Sequence, residues 1–234
     1  RSSVDKYKKM ATRHQKLFSK RPIRWLMRRD WGKRLLFIFF GKKRDRKTGW
    51  PAWVRKTDEE RIQNCPWLLN SKENWVLTEK IDGSSTTFSI KRNHWPRKNE
   101  FYVCSRNVSF DSDGKGNCYY DTNIYTEMAE KYHVRDVLEA MLKERPDEKW
   151  ITIQGETFGA GVQKRDYGMK EHDFRAFNLV YSTLGRVGTL QMVDELNRYG
   201  IQSVPVIGMK DLPLPKTVDE KVALASGTSM IDDL

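Results

Sequence analysis

Leu77-Thr78-Glu79-Lys80-Ile81-Asp82-Gly83-Ser84-Ser85-Thr86-Thr87-Phe88 places a lysine two residues before an aspartate and three before a glycine. At period two, Val76, Thr78 and Lys80 share one face of a strand and Trp75, Leu77, Glu79 and Ile81 the other, so Lys80 is expected to end that strand. Gly83 and the following Ser-Ser-Thr-Thr read as a turn. Thr86, Phe88 and Ile90, alternating with Thr87, Ser89 and Lys91, read as a second strand, so the pair is expected to form a hairpin. A lysine at such a turn can face a cleft and act as a nucleophile. It must then be neutral, and from an unperturbed pKa of about 10.4 that requires desolvation or nearby positive charge. Asp82 is close enough in sequence to orient it. Taken alone, the pattern also fits an ordinary exposed hairpin.

Other stretches take the reading further. Phe101, Val103 and Ser105 alternate with Tyr102, Cys104 and Arg106, giving a strand that delivers Arg106 at its end. From Trp150, Ile151 and Ile153 fall on one face, with Thr152, Gln154 and Glu156 on the other, so Glu156 emerges on a polar face just after Gly155. Gly159-Ala160-Gly161 reads as a tight turn. Phe174 to Tyr181 reads as a strand with Arg175, Phe177, Leu179 and Tyr181 on one side.

Glu79-Lys80-Ile81-Asp82-Gly83, Cys104-Ser105-Arg106-Asn107, Gln154-Gly155-Glu156-Thr157-Phe158-Gly159-Ala160-Gly161-Val162-Gln163 and Asp173-Phe174-Arg175-Ala176-Phe177-Asn178 follow one another in this order. In order and spacing they resemble the covalent nucleotidyltransferases, and within these the ATP-dependent RNA ligases of the phage type 2 group and their bacterial relatives. Capping guanylyltransferases and DNA ligases share the Lys-x-Asp-Gly pattern but usually carry arginine two residues after the glycine, where this chain has Ser85.

The resemblance implies an α+β nucleotidyltransferase (ligase adenylation) fold, two mainly antiparallel sheets flanked by helices with a nucleotide cleft between them. It implies Lys80 as the residue that takes AMP from ATP, with Asp82 as its catalytic companion. It places Glu79, Gly83, Arg106, Glu156 and Phe177 around the nucleotide, Glu156 on the ribose hydroxyls, Arg106 on ribose or phosphate and Phe177 against adenine. ATP and Mg²⁺ or Mn²⁺ are the implied cofactors, without metal ligands that the sequence identifies. RNA 5′-phosphate and 3′-hydroxyl ends are the implied substrates. A non-catalytic nucleic-acid-binding relative of the same fold, or a DNA ligase, is the alternative. The EGxVxK and KxK strands of this class are not found before Leu234, so the domain is expected to be truncated ahead of its C-terminal motifs.

The net charge of +12 is unevenly spread, with 20 Lys or Arg against 3 Asp or Glu in residues 1–56, and 23 against 28 in the rest. A cationic segment interleaved with Tyr7, Trp25, Trp31, Trp50 and Trp53 fits RNA phosphates, with aromatics able to stack; a solvated arm and a membrane-surface segment rank below it. Nicked or duplex RNA is the expected partner. Residues 1–55 are expected to be this basic segment, the tail of an N-terminal domain of the OB type such as some bacterial relatives carry, and residues 56–234 the nucleotidyltransferase domain.

Within the first part, Val4, Tyr7, Ala11, Leu17 and Phe18 allow a short amphipathic helix interrupted at Pro22. Leu35 to Phe40 reads as a buried strand, far too short to span a bilayer, and Gly41 to Pro51 as a basic loop. Thr57 to Glu60 has a capping-box pattern opening a helix to about Asn64. Asp111 to Asn117 reads as a loop, Tyr125 to Leu142 as one core-facing helix, Gly188 to Tyr199 as a helix, Gln202 to Ile207 as a strand and Thr217 to Ala225 as a last helix.

Cys65, Cys104 and Cys118 lack zinc spacing, and His14, His94, His133 and His172 are scattered. A reducing compartment, the cytoplasm, is therefore expected, without a zinc site. No GxxxxGK[ST] or GxGxxG occurs, which excludes a P-loop or Rossmann reading.

Overall fold

The computed structural model describes residues 20–29, 31, 36, 50–56, 60, 64, 65, 75–111, 123–165, 167–209 and 217–231. The chain divides into two compact units, Arg1–Arg46 and Lys47–Leu234. In the first, α1 spans Arg21–Met27 and carries Pro22 in its first turn. The missing proline N–H has no partner to lose there, so this residue opens a helix instead of interrupting one. Leu36, the one described position of the apolar run, is helical and buried, which overturns the strand expected at that point. A short apolar run has no period by which to tell a buried strand from a buried helix. The helix expected over Val4–Phe18 lies outside the described residues, as do most of the Gly41–Pro51 loop, most of the Thr57 capping-box helix and nearly all of the loop expected over Asp111–Asn117.

The second unit contains two antiparallel sheets. β1 (Val76–Thr78) pairs with β8 (Val206–Met209) in a two-stranded sheet. The larger sheet has six strands in the order β4-β3-β2-β5-β6-β7, formed by β2 (Ser84–Lys91), β3 (Glu100–Ser105), β4 (Ser109–Asp111), β5 (Trp150–Gly159), β6 (His172–Tyr181) and β7 (Gly185–Arg186). The two strands that flank Lys80 therefore do not form the expected hairpin. β1 belongs to the small sheet and β2 to the large one, and residues 79–83 pass from one to the other. β8 also begins later than the strand expected from Gln202. Ser203 instead makes an isolated parallel bridge to Ala176, with Val204 N–H donating to the Ala176 carbonyl.

Alternation along β5 sets the two faces of the large sheet. Ile151 and Ile153 join Phe88, Ile90, Val103, Phe174, Leu179 and Tyr181 in the main core. Helices α2 (Ile124–Lys131), α3 (Val134–Glu144) and α4 (Thr189–Asn197) close that core with Met128, Leu138, Met141, Leu142, Met192 and Leu196. The single helix expected from Tyr125 to Leu142 is two helices, because His133 adopts a left-handed conformation with φ of 47°. Its apolar spacing survives the break, since both halves lie on the same sheet face. Asn123 caps α2 by accepting the N–H groups of Tyr125 and Thr126. The last helix, α5 (Val218–Ala225), has the capping box formed by Thr217 and Glu220.

The opposite face is polar yet covered. Thr152 and Gln154 are buried there. Trp53 packs edge-on against Tyr102 at 5.3 Å, its indole N–H reaching Ser89 at 3.4 Å. Gln154 donates to the Arg55 carbonyl at 2.7 Å. The segment 50–56 thus replaces water over this part of the sheet.

In β6 the register slips opposite Gln154 and Gly155, which pair with Asn178 and Ala176 and leave Phe177 as an extra residue. One added residue reverses the parity of a strand. Arg175 and Phe177 therefore do not share a side with Leu179 and Tyr181 as the alternation predicts. Leu179 and Tyr181 enter the main core, while Phe177 packs against a second cluster of Ile81, Phe158, Tyr167, Val204 and Ile231.

Gly155 lies opposite this slip, and a Cβ there would sit 2.3 Å from the Arg175 carbonyl oxygen and 2.4 Å from the Phe174 ring. Gly155→Ala is expected to destabilise the fold by about 3 kcal/mol in chemical denaturation, because the obstacle is backbone as well as ring.

Candidate active site

Cross-strand register assembles the site from segments far apart in sequence. Ser85 of β2 pairs with Glu156 of β5, Glu156 pairs with Arg175 of β6, and Thr86 pairs with Ser105, one residue before Arg106. Directly opposed residues share a face, so Glu156, Arg175 and, by continuation of β3, Arg106 fall in one row on the face away from the helices. Lys80, Asp82 and Gly83 arrive at the end of that row through the crossing from the small sheet.

Glu156 is half-buried, and its acidity reports its neighbours. Desolvation raises its pKa to about 7; Lys80, the Gly83 backbone N–H and Arg106 act to lower it, and Asp82 to raise it. One carboxylate therefore feels Lys80, Asp82, Gly83 and Arg106 together, four of the residues singled out in the sequence. Lys80, Asp82 and Arg106 are themselves exposed. Arg175 is buried and engaged locally, with its guanidinium on Asp173 at 2.5 Å, while Tyr132 donates to the same carboxylate.

Alternation explains why Lys80 faces outward. Ile81 is buried in the second cluster, and Glu79 turns its carboxylate to the Ser229 hydroxyl and to the Met230 N–H, 2.9 Å away. Glu79 is thus held by a late segment of the chain. Gly83 is pressed onto β5, since a Cβ would meet the Thr157 carbonyl oxygen at 2.3 Å and Glu156 Cγ at 3.0 Å. Only glycine allows the chain after Lys80 to come this close. Phe177 is half-buried beside Ile81 and Phe158.

Two residues that the motif reading missed brace this crossing. Tyr167 accepts the Asp82 N–H at 2.7 Å, with its ring against Phe158 and the Arg165 guanidinium 4.6 Å from its centroid. Gln163 donates to the Gly83 carbonyl at 3.2 Å. Gln163 stood at the end of a motif stretch and was legible to that extent. Tyr167 lies in a polar loop where nothing local marks it. The expected Gly159-Ala160-Gly161 turn forms, with φ of 114° and 71° at its glycines, and His172 Nε2 lies 3.0 Å from the Ala160 carbonyl.

Among the described residues, no three His, Cys, Asp or Glu side chains gather as a metal site, and no helix is long and apolar enough to cross a membrane.

The fold is similar to that of solved RNA ligase structures. The RNA ligase of Naegleria gruberi bound to pyrophosphate aligns with a TM-score of 0.64 at 22% identity, over 85% of this chain and 58% of that one. A variant of it with ATP and manganese aligns with a TM-score of 0.64 at 22% identity, over 81% and 52%. A further variant with AMP and manganese gives 0.64 at 24% identity, over 81% and 52%. The likeness carries the fold, and the chain spans about half the length of these structures. Residues 73–229, more than half of the chain, match the RNA ligase family, and the chain belongs to that family. No curated protein sequence matches it significantly.

Proposed function

We propose that the chain is the nucleotidyl-transfer part of an ATP-dependent RNA ligase, with Lys80 as its nucleophile. The observation that carries this reading is the convergence of Lys80, Asp82, Gly83 and Arg106 on the half-buried Glu156. Lys80 Nζ attacks the α-phosphorus of ATP. A nitrogen–phosphorus bond forms, the bond to the bridging oxygen breaks, and pyrophosphate leaves, giving lysine-AMP. AMP then passes to the 5′-phosphate of an RNA end, and a 3′-hydroxyl displaces it to seal the strand.

Lys80 must shed its proton before attack. Arg106 stabilises negative charge on the nucleotide and disfavours a second cation nearby. Asp82, on the same outward side as Lys80, orients the amine. Glu156 accepts from the ribose hydroxyls, and the exposed part of the Phe177 ring meets the adenine. Charge builds on phosphate oxygens throughout, and a bound Mg²⁺ or Mn²⁺ supplies the neutralisation that fixed cations leave incomplete. Asp82, beside a second carboxylate whose pKa it raises, would be the residue to hold such an ion. Mg²⁺ needs only one or two protein carboxylates beside substrate phosphates, so the lack of a three-residue cluster among the described residues fits it.

The polynucleotide partner is RNA, nicked or duplex, held in part by the basic N-terminal segment. In α1 and just beyond it, Trp25 and Trp31 are 50% and 53% exposed and edge-on at 6.3 Å, and the Arg29 guanidinium lies 4.2 Å from the Trp25 ring centroid. Such a cation and aromatic set suits phosphates and bases together. Cys65 and Cys104, free and buried, support a reducing compartment, the cytoplasm.

The test is incubation with ATP labelled at the α-phosphate, with Mg²⁺ or Mn²⁺. Label that stays on the denatured protein and is released by acid, as expected for a phosphoramide, supports the reading. If ATP binds but neither metal allows label to be fixed, catalysis is overturned in favour of a non-catalytic nucleic-acid-binding protein.

A further inference from the structure

Thr217, Asp219, Glu220 and every residue from Val222 to Thr228 are exposed. Ser229 and Ile231 are the exceptions, 5% and 4% exposed. Both are buried against the crossing segment that carries Lys80. Ile231 packs in the cluster with Ile81, and Ser229 donates its hydroxyl to the Glu79 carboxylate. The Met230 N–H donates to the other oxygen of that carboxylate at 2.9 Å, and the Ile231 N–H donates back to Ser229 Oγ at 3.2 Å. Elsewhere the crossing is held through its backbone, by Pro205 on the Glu79 N–H at 2.9 Å and by Tyr167 on the Asp82 N–H at 2.7 Å. Glu79 is thus a side-chain clamp immediately before Lys80, on the side of the chain that alternation turns into the protein.

We propose that Glu79 is a positioning residue: by clamping Ser229 and Met230 it fixes the backbone of Lys80, so that the stretch after α5 governs how well the amine is aimed. The proposal rests on the reading of Lys80 as nucleophile. A carboxylate accepting two hydrogen bonds holds its partners more strongly than a neutral pair does. Displacing a nucleophile by about 1 Å costs on the order of a hundredfold in rate. In this arrangement the Glu79 carboxylate does not bind the nucleotide, in contrast to the role that the motif resemblance implies.

The test uses Glu79→Ala, Ser229→Ala, their combination and Ser229→Thr, which keeps the hydroxyl. Three quantities are read: the rate of lysine labelling at saturating ATP, adenosine affinity, and amide exchange over residues 79–83. Either alanine variant should slow labelling about ten- to hundredfold, leave adenosine affinity within about twofold of the unaltered chain and speed exchange over 79–83. The double variant should be no slower than the slower single one, and Ser229→Thr should label normally. Weak adenosine binding in Glu79→Ala, with Ser229→Ala unaffected, would make Glu79 a nucleotide ligand and overturn the proposal. So would unchanged labelling in both. Should the unaltered chain take no label, the nucleophile reading fails and positioning fails with it. The clamp itself is then judged by exchange alone, which unchanged protection over 79–83 in Ser229→Ala would refute.

Discussion

Lys80→Ala is expected to reduce covalent labelling from α-phosphate-labelled ATP to background, a fall of at least about a thousandfold, while ATP affinity changes far less. The asymmetry follows from the site's construction. Lys80 is exposed at the crossing between the sheets and belongs to neither buried cluster, so its loss is expected to leave the folded frame intact. In the proposed site Glu156, Arg106 and Phe177 remain to hold the nucleotide, whereas no other amine in the motif stretches replaces the one lost. Lys80→Arg is expected to be equally dead to labelling, because a guanidinium does not give up its proton. Native mass spectrometry after mixing with ATP separates the outcomes. The unaltered chain should gain a covalent AMP, and both variants only dissociable nucleotide. A covalent AMP on Lys80→Ala would move the nucleophile elsewhere.

Adenosine affinity is expected to rise with pH up to about 7, and Glu156→Gln to abolish most of that dependence. Burial raises the Glu156 pKa to about 7, against the opposing pull of Lys80, Gly83 and Arg106. In the proposed site its ionised form accepts two ribose hydroxyls, so each pH unit below that value should weaken binding by about tenfold. Adenosine is the suitable ligand because it carries no phosphate to titrate. From pH 8 to pH 5.5 the expected loss is roughly thirtyfold. The same shift has a sign for the unliganded fold. The folded state keeps the Glu156 proton to higher pH than the unfolded state does, so this group makes stability fall as pH rises from about 4.5 towards 7. In Glu156→Gln both slopes should flatten, and a persistent binding slope would assign the titration to another group.

Much of this site is legible in local pattern. The two-residue period places Lys80 on one side and Glu79 and Ile81 on the other, and the structure keeps that division. Strands β2, β3, β5 and β6 and helices α4 and α5 follow from alternation and helical spacing. Glu156 on the polar face of β5 is likewise a matter of counting from Ile151.

What counting cannot supply is which distant segments meet. The alternation around Lys80 is the same whether its flanking strands pair with each other or with others; here β1 pairs with β8, and the hairpin expected from the turn residues is absent. The extra residue at Phe177 breaks the parity that put Arg175 on the side of Leu179, and the left-handed His133 splits a helix whose apolar rhythm never falters. Tyr167 under Asp82 and Ser229 on Glu79 have no sequence signal, since their partners lie 85 and 150 residues away. By itself the sequence determined the order of the motifs, the sidedness of Lys80 and the family resemblance, because side-chain direction repeats with the backbone's own period. The tertiary structure alone decided that Glu156, Arg106 and Lys80 share one electrostatic environment and that residues 229–231 grip Glu79, the residue before Lys80. Those outcomes depend on non-local burial and hydrogen bonding that no window of the chain contains.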